Sequence, residues 1–466
     1  MKKSNKLGVV ITDGVGFRNF ILSDFINEAK VQFDEVVVLS CLAKEAFQNI
    51  DCKVIELVVF EESSLTWFFR KLKEIAHLQR HRKGNFGIQD NFELNNTKSK
   101  SLRGKATRLA YLITNLFYSE FWIQFYFQLQ CLSFKNNKIS KSYNDILKQE
   151  DFSLLFFTHQ RPPYIAPLIA QAYSLKIRTA TFIFSWDNLA SKGRMAGNFD
   201  YYLVWNPLMK SDLMQFYPSV MEDSVKEVGT PQFEPYVLER FASTQCAFFE
   251  KFNLDENLKT ICFSCGDIST SKNDALYIVT VAQGIVDGRI PPINFLVRTS
   301  PAEDPYRFND LIAAYPLIRW NFPKWIQIRE NHQEAWSQRI PSIEDITDLR
   351  SILTYTDINI NMLSTMSLDF MLFDKPVINT VFGDGINGLY NDQRFLNYAH
   401  IINVVKSEAT QIAKNKDELF RSINYYYNNP NADRAKREYL LKLQVCNSLE
   451  GTSARITRAL LEWTHV

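Results

Sequence analysis

The sequence predicts an α/β protein built of two doubly wound domains, each with a parallel sheet. Two stretches show the same alternation of short apolar strands and amphipathic helices, one starting near Leu7 and the other near Lys259. The chain has 466 residues, which is more than a single hydrophobic core usually serves. Its composition, 46% hydrophobic and 22% charged, is that of a globular protein able to bury two cores.

The bulk composition also limits the partners and the compartment. A net charge of +2 gives no reason to expect nucleic acid as a partner. Seven cysteines scattered along the chain are typical of reduced thiols. The one close pair, Cys262 and Cys265, has no second pair or nearby histidine to complete a zinc site, so we expect no metal there. The chain starts without a signal-peptide pattern, and we therefore expect a cytoplasmic protein.

The opening strand of the first domain ends in a loop that contains glycines, TDGVGFRN. Asp13 and Arg18 lie in this loop, at the carboxyl end of a parallel strand, where open sheets bind ligands. The loop lacks the three spaced glycines of a dinucleotide fingerprint, but its glycines let a ligand approach closely. Asp13 is a candidate catalytic carboxylate or else part of a simple Asp-Gly turn, and Arg18 is a candidate for acceptor binding.

Residues 63–148 interrupt the first domain with a basic and aromatic insertion. Eleven Lys and Arg residues lie between Arg70 and Arg108, against three acidic ones, and aromatic residues flank the stretch. Polar residues interrupt its apolar runs long before they reach the length of a membrane span. Two interpretations stay open. One is an anionic membrane surface as partner, where each cation contributes roughly 1 kcal/mol, which would make the protein peripheral on the inner face of the plasma membrane. The other is a solvated loop followed by a buried helix.

Two later strands of the first domain also end in polar residues. His159 follows one of them, and Trp186, Asp187 and Asn188 follow the next. Because neighbouring parallel strands end at the same edge of a sheet, these side chains are expected to form one wall of a ligand site. His159 and Asp187 are candidates for acid/base catalysis, and Trp186 and Asn188 for acceptor binding. Structural roles, as a hydrogen-bonded core histidine and a turn cap, are the alternatives.

A Gly/Pro turn near the middle of the chain marks the predicted end of the first domain. The predicted divisions are 1–235 for the first domain, 236–258 for a linker, 259–450 for the second domain and 451–466 for a C-terminal helix.

Three turns after strands of the second domain are candidates for a phosphate site. The most distinctive joins a short strand to a helix through Ser364 and Thr365, whose hydroxyls would lie beside helix N-terminal amides. Either residue is otherwise an ordinary helix N-cap. Arg298 and Ser300 follow another strand, where the arginine is a candidate for phosphate binding or else forms a surface ion pair. Gly266 lies in the third turn.

Motifs in residues 150–380 resemble a known group of enzymes. The motifs are Arg298-Thr-Ser-Pro301, Asp357, Asn361, Ser364-Thr365, Asp369 and Lys375-Pro-Val-Ile378 in the second half, with Ser185-Trp-Asp-Asn188 and Val228-Gly-Thr-Pro-Gln-Phe-Glu234 in the first. They are similar to those of GT-B glycosyltransferases of bacterial surface-polysaccharide biosynthesis, a group related to CDP-glycerol glycerophosphotransferases and nucleotide-sugar epimerases.

The resemblance implies a GT-B fold, in which two Rossmann-like domains face each other across a cleft and a C-terminal helix closes the pair. It implies a nucleotide-sugar donor in the second domain, with the turn hydroxyls and the arginine on the diphosphate and Asp369 on the ribose. A glycan or lipid-linked acceptor would bind the first domain, where Asp13, or alternatively Asp187, would deprotonate its hydroxyl. No cofactor beyond the co-substrate is implied, and the sequence has no Asp-x-Asp motif to hold a divalent metal.

Three functions follow from this resemblance. The first is a glycosyltransferase of capsule, surface-polysaccharide or lipopolysaccharide synthesis. The second is a polyol-phosphate transferase or a nucleotide-sugar epimerase on the same fold. The third is a subunit that binds sugar nucleotides without catalysing a reaction.

Overall fold

The computed structural model describes residues 5–330, 332, 334–385 and 392–465. The chain forms two compact units that interleave along the sequence. The first unit contains Met1–Glu234, Gln327–Ile340 and Asn447–Val466, and the second contains Pro235–Ile326 and Pro341–Cys446. Residues 327–340, which the sequence analysis assigned to the second domain, therefore belong to the first unit.

The strands are short and mostly buried. They are β1 (Lys6–Ile11), β2 (Glu35–Ser40), β3 (Lys53–Glu56), β4 (Leu154–Phe157), β5 (Arg178–Phe182), β6 (Tyr201–Val204), β7 (Val225–Glu227), β8 (Thr260–Ser264), β9 (Asn294–Arg298), β10 (Ile318–Asn321), β11 (Trp325–Gln327), β12 (Arg339–Pro341), β13 (Ile358–Asn361), β14 (Val377–Thr380) and β15 (Gln411–Ala413).

The helices connect the strands and form the insertion. They are α1 (Gly14–Phe20), α2 (Phe25–Gln32), α3 (Ser64–His81), α4 (Phe86–Asn95), α5 (Leu102–Leu116), α6 (Glu120–Phe134), α7 (Lys138–Glu150), α8 (Ala166–Ser174), α9 (Asn188–Ser191), α10 (Pro207–Phe216), α11 (Gln245–Phe252), α12 (Asp274–Val286), α13 (Asn309–Ala314), α14 (Ile343–Tyr355), α15 (Met366–Met371), α16 (Ala399–Ser407), α17 (Lys416–Asn428), α18 (Arg434–Gln444) and α19 (Thr452–Thr464).

The first unit is built on a parallel sheet with strand order β3-β2-β1-β4-β5-β6-β7. Its central strands are continuously apolar because helices cover both faces, and Val9, Val10 and Phe156 are fully buried. The strand order reverses between β1 and β4, so the carboxyl ends of these two strands form the switch point at which doubly wound sheets bind ligands.

The second unit repeats this design with the order β10-β9-β8-β13-β14-β15, again with parallel pairing. Its switch point lies between β8 and β13. A core of aliphatic and aromatic side chains fills the space between this sheet and its helices, and Ile261, Phe263, Ile360 and Ile378 are fully buried there. Gly266 follows β8 and the Ser364-Thr365 turn follows β13, so both lie at the switch point.

The insertion predicted at 63–148 folds into helices α3 to α7. Helix α3 packs against α4, α5 and α6. A small separate core joins α3, α5 and α6, formed by Leu72, Ile75, Ala76, Ala110, Ile123 and Tyr126. Within the described part of the chain, no helix is both long and apolar enough to cross a membrane.

The C-terminal helix α19 packs on α2, within the first unit. The ring of Trp463 stacks on Tyr201 with ring centroids 4.6 Å apart, and its carbonyl accepts a hydrogen bond of 3.0 Å from Arg178. Two parallel-sheet, Rossmann-like units confirm the α/β fold class that the sequence predicted.

Candidate active site

Asp13 and His159 form a hydrogen-bonded pair at the switch point of the first sheet. Asp13 follows β1 and caps helix α1, and His159 follows β4, the strand paired with β1. The Asp13 carboxylate lies 2.8 Å from Nδ1 of His159 and also accepts hydrogen bonds from Thr12 Oγ1 and the Gly16 amide, both 2.8 Å long. The sequence named both residues as candidates but did not predict that they contact each other.

Asp13 is fully buried, so it has no surface on which to meet a substrate. Burial by itself would raise the pKa of Asp13, but the hydrogen bonds from His159, Gly16 and Thr12 and the charge of His159 together lower it below its ordinary value. The carboxylate is therefore ionised at neutral pH. It fixes the orientation of the imidazole and can stabilise its protonated form.

His159 lines a cavity of about 430 Å³ within the first unit. One face of its ring stacks on Phe184, with the centroids 4.0 Å apart and the planes 18° from parallel. Since Nδ1 is held by Asp13, Nε2 is the nitrogen available to a ligand in the cavity. A buried carboxylate, an oriented imidazole and a cavity beside it are the arrangement of a general base.

Residues 327–340, called the arm below, provide one wall of this cavity. The arm leaves the second unit after β11 and returns to it through β12, and it contributes Glu334 and Trp336 to the lining. Arg329 anchors it to the first unit through an ion pair with Glu56, and His332 packs edge-on against Tyr164 at 5.3 Å. This wall was not predicted, because residues 327–340 fall within the range 259–450 that the sequence predicts for the other domain.

Gly14 explains how the arm reaches the loop after β1. A Cβ atom built on Gly14 would lie 1.5 Å from the carbonyl oxygen of Arg339. The sequence analysis interpreted the glycines of this loop as room for a ligand. At Gly14 the room is occupied by the backbone of the arm, and His159, not Asp13, lines the cavity.

Helix α3 forms the opposite wall with charged side chains that are paired with one another. Arg70 donates to Glu62 and Glu74, each at 2.7 Å, and Lys71 lies 3.3 Å from Glu74. Burial by itself would lower the pKa of Arg70, but its two carboxylate partners outweigh this effect and raise the pKa, so Arg70 stays charged. These groups therefore form a fixed, mutually neutralising framework and do not offer an open cation to a ligand.

Two other charged side chains in the cavity have no such pairing. Arg161 lies two residues after His159 and makes no hydrogen bond or ion pair with any residue that the structure describes. The carboxylate of Glu334 likewise has no hydrogen bond within the described chain. Burial raises the pKa of Glu334, and the negative charge of Asp13 raises it further. These two groups, with Asn91 and Trp336, give the cavity the planar polar groups and the aromatic surface that suit a sugar.

The remaining candidates of the first unit are the catalytic candidate Asp187 and the acceptor-site candidates Trp186, Asn188 and Arg18. Most of their contacts are with other residues of the protein. Trp186 is buried, and Asn188 is buried and accepts a hydrogen bond of 3.0 Å from Gln160. The Asp187 carboxylate accepts a hydrogen bond of 3.0 Å from the side-chain Nδ2 of Asn188 and lies 3.5 Å from Lys192, a cavity residue. These contacts place Asp187 beside the cavity and not in its lining.

Arg18, the last of these candidates, lies on α1 and faces another part of the unit. Its guanidinium donates a hydrogen bond of 3.3 Å to the carbonyl of Gln232. It does not line the cavity that contains His159.

The Ser364-Thr365 turn of the second unit lies over a buried network of amide side chains. The Ser364 amide donates to Asn361 Oδ1 at 2.8 Å, and Asn361 bonds in turn to Asn359, Ser367 and Asn379. The following helix, α15, has only six residues, so the turn is held by this network more than by a long helix. The Thr365 hydroxyl makes no hydrogen bond with the residues described and is available to a ligand.

Arg298 was expected to bind phosphate, but in the structure its guanidinium bonds to other side chains of the second unit. Its guanidinium is buried and donates to both oxygens of Asp345, at 3.1 and 3.0 Å, and to Asn321. Asp345 is itself buried and also accepts from the indole of Trp325 at 2.9 Å. The alternative weighed from the sequence, an ion pair, describes this arginine, although the pair is internal and not on the surface.

Asp369 also differs from expectation, because it is buried and accepts a hydrogen bond from the hydroxyl of Tyr236. Gly266 donates its amide to Asp274 at 2.9 Å, and the Ser300 hydroxyl accepts from the Ala302 amide at 3.2 Å. The structure thus brings Gly266, Ser300 and the Ser364 turn to the carboxyl edge of three adjacent strands. It turns Asp369 towards the interior.

Neither a search against protein-family models nor a search of curated proteins finds a match to this chain. Solved structures do show a similar fold. UDP-GlcNAc 2-epimerase from Neisseria meningitidis, bound to UDP-GlcNAc, is 11% identical with a TM-score of 0.52, covering 98% of this chain and 100% of that one. MnaA from S. aureus with UDP is 8% identical with a TM-score of 0.55, covering 99% and 97%.

A glycosyltransferase from Rickettsia africae ESF-5 is 12% identical with a TM-score of 0.51, covering 99% of both chains. At these identities the similarity shows the fold alone. The chain therefore has the fold of the GT-B class, in agreement with the sequence-based prediction.

Proposed function

We propose that this protein is a glycosyltransferase that moves a sugar from a nucleotide-sugar donor to a hydroxyl of a glycan or lipid-linked acceptor in the synthesis of a cell-surface polysaccharide. The observation that supports this best is the Asp13–His159 pair at the switch point of the first sheet, with His159 lining a polar cavity. The pair supplies the general base that activates an acceptor hydroxyl.

In the proposed reaction the acceptor occupies the cavity of the first unit. Nε2 of His159 takes the proton of the acceptor hydroxyl as its oxygen bonds to the anomeric carbon. The bond from that carbon to the donor phosphate breaks, and the nucleoside diphosphate leaves with the electron pair. Asp13 stabilises the imidazolium that forms. Trp336 offers an aromatic surface to a sugar ring, and Glu334 and Arg161 can bond to its hydroxyls.

We assign the donor to the second unit. The turn hydroxyls of Thr365 and Ser300 and the loop at Gly266 lie at the carboxyl edge of its sheet, where doubly wound sheets bind nucleotides. Hydroxyl and amide donors there would stabilise the charge that develops on the leaving diphosphate. Two of the similar structures contain UDP-GlcNAc or UDP, which supports a nucleotide-sugar as the donor. This mechanism needs no resident cofactor or metal, and we place the reaction in the cytoplasm.

A nucleotide-sugar epimerase is the second candidate. One of the similar structures is a UDP-GlcNAc 2-epimerase bound to UDP-GlcNAc, and another, MnaA, contains UDP. An epimerase would use His159 to move a proton on the donor sugar itself. It would need no acceptor, and so it leaves the aromatic and planar polar lining of the first-unit cavity without a role.

The test is turnover of a panel of UDP-, GDP-, CMP- and CDP-linked sugars, with and without a glycan acceptor. We expect release of free nucleotide that depends on the acceptor and is lost in His159→Ala. Conversion of a donor to its epimer in the absence of any acceptor would establish the second candidate instead. Binding of nucleotide without turnover under any of these conditions would overturn both.

A further inference from the structure

Helices α5 and α6 each expose apolar side chains that no described part of the chain covers. On α5, Leu109, Leu112 and Leu116 recur at the spacing that places them on one side of a helix, and they are 50%, 71% and 74% exposed. Phe117, directly after α5, is exposed as well. These residues, with Phe121 and Phe125, are called the α5–α6 face.

The aromatic part of the α5–α6 face is ordered by contacts among its own side chains. Trp122 packs against Phe117 at 4.6 Å and against Phe121 and Phe125 at 5.5 Å. Phe121 is nevertheless 70% exposed. A single exposed leucine is normal on a protein surface, but several exposed apolar side chains on two successive helices are typical of an interaction surface.

Exposed lysines lie at the α5 end of the α5–α6 face. Lys98 and Lys100 precede α5, and Lys105 lies on the same side of the helix as the exposed leucines. All three are exposed, and none forms an ion pair with a residue that the structure describes. The sequence has no Asp or Glu from residue 94 to 119, so no acidic side chain in that stretch offsets them.

We propose that the α5–α6 face docks on an anionic membrane surface, with its leucines and phenylalanines among the lipid chains and its lysines at the headgroups. Exposed apolar side chains and unpaired lysines on one helical surface are the two features by which an interfacial helix binds such a membrane. A second copy of this chain is a poorer occupant. A symmetric contact through this face would bring the same lysines against one another.

If the α5–α6 face docks on a membrane, the acceptor is a lipid-linked glycan and not a soluble one. This conclusion about the acceptor rests on the proposed function. Helix α3 connects the two sites within the first unit. One side of it, with Leu72 and Ala76, packs against α5 and α6, and another side, with Arg70 and Glu74, lines the cavity of His159. A membrane held at α5 and α6 would thus present lipid-linked glycans near the unit that contains the proposed base.

The test is co-sedimentation of the full chain with vesicles of phosphatidylglycerol and phosphatidylcholine, compared with vesicles of phosphatidylcholine alone. We expect binding to the anionic vesicles that weakens with salt. The triple variant Lys98→Glu, Lys100→Glu, Lys105→Glu should reduce the affinity on the order of a hundredfold, since each cation near an anionic surface contributes to binding. The double variant Leu112→Glu, Phe121→Glu should abolish binding.

Matched controls make the same changes elsewhere on the surface. The first control replaces two exposed apolar residues outside the face, in the double variant Val31→Glu, Tyr439→Glu. The second reverses three other exposed lysines, in the triple variant Lys414→Glu, Lys416→Glu, Lys442→Glu. Both control variants should bind the vesicles like the wild type. Equal binding to neutral vesicles, or no effect of the face variants, would overturn the proposal. So would a dimer in analytical ultracentrifugation that Leu112→Glu dissociates. Vesicle binding is measured without donor or acceptor, so its failure would leave the proposed transfer reaction standing.

Discussion

Nδ1 of His159 is held 2.8 Å from the carboxylate of Asp13, between the ends of two adjacent strands, and this contact assigns different roles to the two residues. Asp13 is the more deeply buried and ionised partner, while His159 borders the cavity. The sequence analysis preferred Asp13 as the base. The geometry supports His159 as the group that meets the acceptor and Asp13 as the residue that positions it.

The two residues are therefore expected to act as one unit. His159→Ala should lower kcat for transfer by about 10²–10⁴-fold, the usual contribution of a general base. Asp13→Asn should lower kcat by a similar order and shift its pH profile, and the double variant should be no worse than the poorer single variant. His465→Ala, at an exposed histidine near the C-terminus, is the control. Additive losses in the double variant would show that the residues act independently.

The arm should determine affinity for the acceptor and not for the donor. Trp336 lines the cavity and is 43% exposed, so its ring is accessible to a bound sugar. We expect Trp336→Ala to raise KM for a glycan acceptor about tenfold, with the Kd for nucleotide unchanged. Trp336→Phe should restore most of the affinity because it keeps an aromatic surface. An equal effect on nucleotide Kd would contradict this assignment.

The sequence predicted the parts of the fold that depend on local pattern. Strands followed by polar turns located Asp13, His159 and Ser364, because apolar strands and their turns can be recognised within a few residues. Glu334 and Trp336 were missed, since no local pattern shows that the chain returns to the first unit between β11 and β12.

The partner of Arg298 was missed for the same physical reason. Asp345 lies 47 residues away in the sequence, and only the folded sheet brings the two charges together. The burial of Asp369 under Tyr236, 133 residues away, was equally hidden. Interactions of this kind depend on tertiary packing, on which periodicity and spacing carry no information.

Arg298 and Thr365 should respond differently to substitution. Arg298→Ala leaves Asp345 buried without its cation and should lower the free energy of unfolding by about 3–5 kcal/mol. Thr365→Val removes a hydroxyl that makes no hydrogen bond with the described residues, and it should leave stability unchanged while raising the Kd for the bound nucleotide a few-fold. Thermal unfolding and nucleotide titration of both variants measure the two effects. A stable Arg298→Ala protein with strongly weakened nucleotide binding would restore the phosphate role to this arginine.

Gly14 should be intolerant of a side chain because of the arm. A methyl group there would overlap the Arg339 carbonyl, so Gly14→Ala should displace the arm and destabilise the protein by about 1–3 kcal/mol. Hydrogen exchange of the Ile328 amide, which donates to the Gln338 carbonyl at 3.0 Å, reports on the arm directly and should accelerate. Gly385→Ala is the matched control, since a Cβ there meets no atom of the residues that the structure describes within 4 Å. Unchanged exchange in Gly14→Ala would contradict the packing described.

Because of Lys73, the free energy of unfolding should increase with pH in the alkaline range. Its ammonium is buried in the α3 region, where it donates to the Ala196 carbonyl at 2.9 Å and lies 5.0 Å from the centroid of the Phe127 ring. Burial lowers the pKa of Lys73 to about 8. Between that value and the ordinary lysine pKa near 10.4, the unfolded chain binds more protons than the folded one, so the free energy of unfolding increases with pH.

The Lys73 effect is measured by comparison with Lys73→Met, which removes the titrating group and keeps an unbranched apolar chain. From about pH 8 to pH 10 the wild type should gain stability over this variant, by up to about 3 kcal/mol for a shift of this size. Lys442→Met, at an exposed lysine, should follow the wild type throughout. Urea unfolding across this range gives the curves. Parallel curves for the wild type and Lys73→Met would mean that the buried ammonium keeps its ordinary pKa, through a counter-charge that offsets its burial.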